Sequence, residues 1–280
     1  MLKSKRKLII TLSVVGAIVL LIILSSALFS LRTVTVDYIT LNSDIEHSVL
    51  KTYDKNEIIQ TGKFAYNKNI LFVKYDGAKE RIEKAFPFAK VVGFTRHFPS
   101  SVVVQLAERE AVAKIYRTDG KWVVIDDELK VLIVSSVLDS YYSGLPTLDS
   151  GAVATNGATE GSFLSSGYLA HTLHNLKRGI TNSTVNLNMK SISSISITTG
   201  SKLEDYVLNL TLQEGASPSC KVVINGINNL ARKSLDVFTT FIDVRNNSVE
   251  YPDRSKVTIT VDADYTGGDG NSVRVIKDEP

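Results

Sequence analysis

Ala89-Lys90-Val91-Val92-Gly93-Phe94-Thr95-Arg96-His97-Phe98-Pro99-Ser100-Ser101-Val102-Val103-Val104-Gln105-Leu106-Ala107-Glu108 contains two β-rich runs with one break between them. β-Branched and aromatic residues fit a pleated, half-buried surface, so Ala89 to His97 and Ser101 to Glu108 read as strands. Phe98-Pro99-Ser100 forms the turn that joins them. Upstream, Asp76 is placed to cap a helix that runs through Phe86, with Ala78, Ile82, Ala85 and Phe86 on one face and Pro87 ending it. Asp54-Lys55-Asn56-Glu57 has capping-box spacing ahead of Ile58 and Ile59, which predicts a helix stopping near Gly62. Lys68 to Val73 reads as a short extended piece, and residues 42–53 as mixed, with room for a short helix. Thr33-Val34-Thr35-Val36-Asp37-Tyr38 alternates as a half-buried strand does. Strand, helix, helix, strand, strand is an α+β domain: one sheet with two helices on one face.

Still further upstream the pattern changes. Met1 to Lys7 carries Lys3, Lys5, Arg6 and Lys7 and no acid, and Leu8 to Leu31 carries no charge at all. About 20 apolar residues cross a bilayer as a helix, so 8–31 predicts a single transmembrane helix. The basic tail predicts a cytoplasmic N-terminus with the bulk of the chain outside. A cleaved signal peptide, with Ser25-Ser26-Ala27 as the cleavage site, is the rival, but its apolar stretch is usually shorter.

Downstream of Glu108 the elements are shorter. Ala111 to Tyr116, Trp122 to Asp126 and Val131 to Val134 read as strands, residues 149–167 as an exposed loop rich in small residues, and Tyr168 to Lys177 as a helix. Ile192 to Ile197, Tyr206 to Leu212 and Lys221 to Ile224 are strands again. Ile227, Leu230, Ala231, Ser234, Leu235, Phe238, Phe241 and Ile242 then recur at helical spacing, and Lys256 to Val261 is the last strand. Residues 263–280 read as a disordered tail. The domain boundaries that follow are a tail at 1–7, a span at 8–31, and domains at 32–109 and 110–262 ahead of that tail.

Composition excludes several classes of function. The chain has 280 residues with 32 basic and 29 acidic side chains. Four of the basic ones lie in the N-terminal tail, so the rest is near neutral and offers no field for nucleic acid. Cys220 is the sole cysteine, so no intrachain disulfide forms; ahead of Lys221-Val222-Val223-Ile224 it reads as a small buried apolar residue. His171 and His174 stand three apart on a predicted helix, without a third ligand for zinc. Asp262-Ala263-Asp264-Tyr265-Thr266-Gly267 resembles half a calcium loop, but Val273 stands where its bidentate Glu belongs. Ser48-Val49-Leu50-Lys51 matches Ser-x-x-Lys without the companion Lys-Thr-Gly. No nucleophile, base and oxyanion donors come together, so the chain reads as non-enzymatic, with no cofactor, metal or small-molecule substrate.

Four groups of residues carry a resemblance. Lys68-Asn69-Ile70-Leu71, Ile82-Glu83-Lys84-Ala85-Phe86-Pro87-Phe88, Arg96-His97-Phe98-Pro99-Ser100-Ser101-Val102 and Glu108-Arg109-Glu110-Ala111-Val112-Ala113 look like the FtsQ/DivIB cell-division family. Trp122-Val123-Val124-Ile125-Asp126, Leu145-Pro146 and Ile242-Asp243-Val244-Arg245 extend the similarity over most of residues 1–262. The resemblance implies a POTRA domain at 32–109, a mixed α/β "β domain" at 110–262, and a bitopic divisome scaffold at the septal membrane. It also implies partners of the FtsB/DivIC and FtsL type and a role in septal peptidoglycan synthesis. Lys256, Val257, Thr258, Ile259, Thr260 and Val261, as the last strand, would offer an unpaired edge for a partner strand. Arg245 matches the family's basic position after the last helix and would meet a partner carboxylate. The rival classes are a POTRA protein of transport or envelope assembly and a membrane-anchored cell-wall enzyme.

Overall fold

The computed structural model describes residues 2–39, 48–149, 151, 153–182, 187–215, 217–265 and 273–277. The chain divides into two compact units, Met1–Arg109 and Glu110–Pro280.

The first unit opens with helix α1 (Leu2–Leu28) and strand β1 (Thr33–Tyr38), followed by helices α2 (Lys55–Gly62) and α3 (Asp76–Ala85). Strands β2 (Ala89–His97) and β3 (Ser101–Glu108) complete it. The sheet runs β1-β3-β2, with β1 parallel to β3 and β2 antiparallel to it. Alternation sets the inner face: Val34, Val36, Val102, Val104 and Leu106 are buried with Ile58 of α2 and Ala78 and Ile82 of α3. Asp54 caps α2 by accepting from the Asn56 N–H at 2.9 Å. Asp76 does not cap α3; it is the first helical residue, and Tyr75 holds the cap position. The expected extended piece at Lys68–Val73 is a turn, in which Asn69 alone makes a bridge, to Ser30. Of the mixed stretch 42–53, residues 42–47 lie outside the described residues, and Leu50–Thr52 is one 3-10 turn. Glu108 fastens that turn, accepting from the backbone N–H groups of Val49 and Leu50.

The expected transmembrane helix at 8–31 is corrected. α1 takes the basic run Lys3–Lys7 into its first turns and stops at Leu28. The last three residues of the expected span belong to the folded unit. Phe29 carbonyl oxygen accepts from the Ile70 N–H, Ser30 bridges Asn69, and Leu31 is fully buried in the core. An apolar run looks alike to lipid and to a protein core, and here its end is used by the core. Among the described residues no helix is long and apolar enough to cross a membrane. The sidedness read from that span has no support in the structure.

The second unit is built on a nine-stranded sheet, counted among the described residues. Its first elements are β4 (Ala113–Tyr116), β5 (Trp122–Ile125), β6 (Val131–Ser135), the short helix α4 (Ser140–Ser143) and β7 (Thr147–Leu148). Then come α5 (Gly167–Thr181), β8 (Ile192–Thr198), β9 (Val207–Glu214), β10 (Ser217–Asn225), α6 (Leu230–Asn246), β11 (Val257–Val261) and β12 (Val273–Lys277). The order across the sheet is β12-β11-β10-β9-β8-β7-β4-β5-β6. Leu169, Leu173, Leu176 and Ile180 of α5 share one core with Val237, Phe238 and Phe241 of α6 and the sheet residues Ile195, Leu210, Val222 and Ile259. α5 and α6 approach closely at Gly179, where an added Cβ would stand 2.5 Å from Ser234 Cβ and 2.7 Å from Ala231 O.

Residues 149–167, read as an exposed loop, have no strand among the described residues and many exposed side chains, and they also cover the outer edge of β6: Val131 N–H donates to Ser162 O, and Gly161 N–H to Val131 O. Residues 150 and 152 lie outside the described residues. One expectation for this unit changes. The expected disordered tail at 263–280 contains β12, paired with β11; residues 266–272 and 278–280 lie outside the described residues. The half calcium loop at 262–273 falls mainly on them.

Candidate functional site

Of the residues singled out for partner binding, Val257–Val261 form β11, next to the last strand of the large sheet. Val257, Ile259 and Val261 point into the core and are buried, while Thr258 and Thr260 on the opposite face are half-buried. β10 pairs with β11 in parallel on one side, Lys221 opposite Thr258 and Ile224 opposite Val261. β12 pairs antiparallel on the other side, Val257 opposite Lys277 and Val261 opposite Val273. The expected unpaired edge at Lys256–Val261 is therefore occupied by the chain's own residues, because β12 meets the backbone groups a partner strand would have met. Lys256 itself sits before the strand, exposed, 4.0 Å from Asp253. Arg245 is exposed in the last turn of α6 and has no ion pair among the described residues.

β12 is tied down at both ends. Arg274 pairs with Asp262, and Lys277 reaches Glu250 at 3.8 Å while lying 4.9 Å over the Tyr251 ring. Tyr265 O–H donates to Asp236, which also takes Arg232 at 3.1 Å; burial and that carboxylate push the Tyr265 hydroxyl above its ordinary pKa.

Behind β11 lies Lys233, a fully buried cation that the sequence placed on a helix without marking it. Its Nζ donates to Asn225 O at 2.8 Å and to Gly226 O, Asn228 Oδ1 and Ala263 O at 3.0 Å. Asn225 Nδ2 donates to Val261 O, and Asn228 Nδ2 to Ala263 O, each at 3.1 Å. The β10–α6 turn and the exit of β11 are thus clasped around one ammonium group. Burial lowers the Lys233 pKa from 10.5 to about 8, with Asp264, Glu204 and Asp262 pulling the other way. This clasp fixes where the chain leaves β11.

The motifs weighed for catalysis do not assemble. Ser48 O–H donates to Glu108 Oε2 at 2.5 Å and serves the turn that Glu108 holds. His174 pairs with Asp127 at 2.8 Å, whereas His171 contacts Asn175. Cys220 is fully buried in the core. Among the described residues no group of three or more His, Cys, Asp or Glu is placed to hold a metal. What remains is a sheet end whose outer edge on β12 is unpaired among the described residues, an exposed Arg245 on α6 and a buried clasp at the exit of β11.

Comparison with known proteins agrees with the first unit. Residues 43–109 match the family model described as the POTRA domain, FtsQ-type. The cell division protein FtsQ of Corynebacterium glutamicum is 31% identical over 109 residues. That match takes in 39% of this chain and 43% of the relative, so it spans less than half of either.

Proposed function

We propose that the chain is a protein of the FtsQ/DivIB family and, from that premise, a non-enzymatic scaffold of the cell-division machinery, acting at the division site. The observation that carries this reading is the FtsQ-type POTRA domain at residues 43–109. Its partners in this reading are of the FtsB/DivIC and FtsL type, and its output is support or regulation of septal peptidoglycan synthesis.

The partner surface in this proposal is the β12 end of the large sheet. Because β11 is paired on both sides, a partner strand extends the sheet along the outer edge of β12, with main-chain bonds giving affinity. Arg245 and Lys256 supply the charge contacts beside it. The edge is short and carries Arg274 and Lys277, features that keep such an edge from pairing indiscriminately.

Prolines at Val275 and Ile276 test the surface. Neighbouring N–H groups on a strand point to opposite edges, so one proline breaks the β11 pairing and the other blocks only the outer edge. One of the two variants should stay folded by circular dichroism and lose pull-down of the partner. Full binding by both variants would sink strand addition at β12. Depletion of the chain tests the wider role: filaments that fail to divide support it, whereas lost secretion or altered wall crosslinks without a division block would transfer it to another class.

A further inference from the structure

Three segments meet at one rim of the first unit: residues 29–33, 66–74 and 94–100. Leu31 N–H donates to Lys68 O at 2.8 Å, Asn67 N–H to Leu31 O at 2.9 Å, and Arg32 N–H to Ser100 O at 2.8 Å. Arg96 spans the 66–74 turn, its Nε donating to Ile70 O at 2.9 Å and its Nη2 to Val73 O at 3.2 Å. Between those two carbonyls stand Leu71 and Phe72, 47% and 81% exposed. Two residues past Arg96 stands Phe98, 58% exposed, its ring 5.9 Å from Phe29 in an edge-to-face contact. Leu24 and Leu28, in the last turns of α1 just ahead of Phe29, are 57% and 59% exposed. A cluster of large apolar side chains held outward by a hydrogen-bonded turn marks a contact surface rather than scattered exposure.

Charge decides what it contacts. Arg32, Lys68, Lys74 and Arg96 are exposed around this cluster, and the three segments contain no Asp or Glu. Arg96 spends its donors on carbonyls, which leave its charge uncancelled. Aromatic and aliphatic tips ringed by cations suit the headgroup layer of an anionic bilayer, where the tips enter the acyl boundary and the cations stay among the phosphates.

We propose that this rim docks the first unit on an anionic lipid surface, with Leu71, Phe72 and Phe98 inserted and Arg32, Lys68, Lys74 and Arg96 facing the headgroups. The contact lies on the bilayer and requires no crossing. It is independent of the strand-addition surface, because none of its residues lies in the second unit.

A local tryptophan reads the contact. In the full chain with Trp122→Phe, Phe72→Trp places the one indole at the rim; a matched control, Val137→Trp, places it at a 77%-exposed position of the second unit. With vesicles containing phosphatidylglycerol, emission at position 72 should move to shorter wavelength and be quenched by brominated acyl chains, while that at 137 stays water-like. Adding Lys68→Glu and Lys74→Glu should weaken vesicle partitioning about tenfold or more. Four results overturn the proposal. They are unchanged emission at 72, an equal shift with purely zwitterionic vesicles, an equal shift at 137, or a shift on concentrating the protein without vesicles. Failure here leaves partner pull-down through β12 untouched, so the two readings fail separately.

Discussion

Glu83 and Lys233 are buried charges whose removal should be costly for different reasons. Glu83, on α3, accepts from the Val91 N–H at 2.8 Å beside the β2 bulge and from Arg109 at 3.2 Å. Glu83→Ala leaves Arg109 buried without its carboxylate and should cost about 3–5 kcal/mol, measured by urea denaturation. Lys233→Met fills similar volume but takes the ammonium from four oxygens, of which Ala263 O still accepts from Asn228 Nδ2, so a loss of about 3 kcal/mol is expected. Lys233 also gives a pH test. Its folded-state pKa of about 8 lies below the ordinary 10.5, so between those values the unfolded chain holds the proton more tightly. Stability from this group therefore rises as pH climbs from about 8 towards 10.5 and is lost as pH falls through 8. The stability gap between the native chain and Lys233→Met should widen from pH 7.5 to 9.5; a flat or narrowing gap would show that Lys233 does not titrate there.

At the scale of elements, the α5–α6 contact depends on the missing side chain of Gly179. A methyl group there meets Ser234 and the Ala231 carbonyl below 3 Å, and both helices are fixed to the same sheet. Gly179→Ala should destabilise the second unit by about 1–3 kcal/mol in thermal denaturation. The edge of β6 depends on a different device. Glu160 accepts from the Val134 N–H at 3.0 Å, and the 161–164 segment pairs along Val131 and Lys130. Excising residues 155–163 should leave β6 open and produce concentration-dependent aggregation by light scattering. These elements were legible in sequence to different degrees. β2 and β3 have the ends that alternation and the Phe98-Pro99-Ser100 turn indicate. α6 begins at Leu230 instead of near Ile227, because Asn229 adopts φ +50° and Ile227 and Asn228 are used in the turn. β7 has two residues and exists only because β4 and β8 flank it, a pairing that no local pattern encodes.

For the whole molecule, each unit has its own core, and among the described residues the two core clusters have no member in common. Hydrogen exchange should resolve them. Glu83→Ala should raise exchange over residues 33–108 and spare 112–261, and Gly179→Ala should do the reverse. Parallel increases across both would contradict two cores that open separately. The FtsQ-type POTRA domain lies wholly in the first unit, and the proposed partner edge in the second.

Local alternation and helical spacing were enough for the sequence to determine the α+β class, the β-α-α-β-β order of the first unit and most strands of the second. These features arise from neighbouring residues choosing a face, and each is short-range. Tertiary structure alone decided three things. It drew Leu31 out of an apolar run and into a core, gathered four oxygens from residues 225–228 and 263 around Lys233, and laid β12 along β11. Each depends on groups far apart in the chain, whose contact free energy no local pattern contains. The stretch 89–108 therefore announced the fold, while the sheet edge proposed for a partner was set by a strand that looked, in sequence, like a tail.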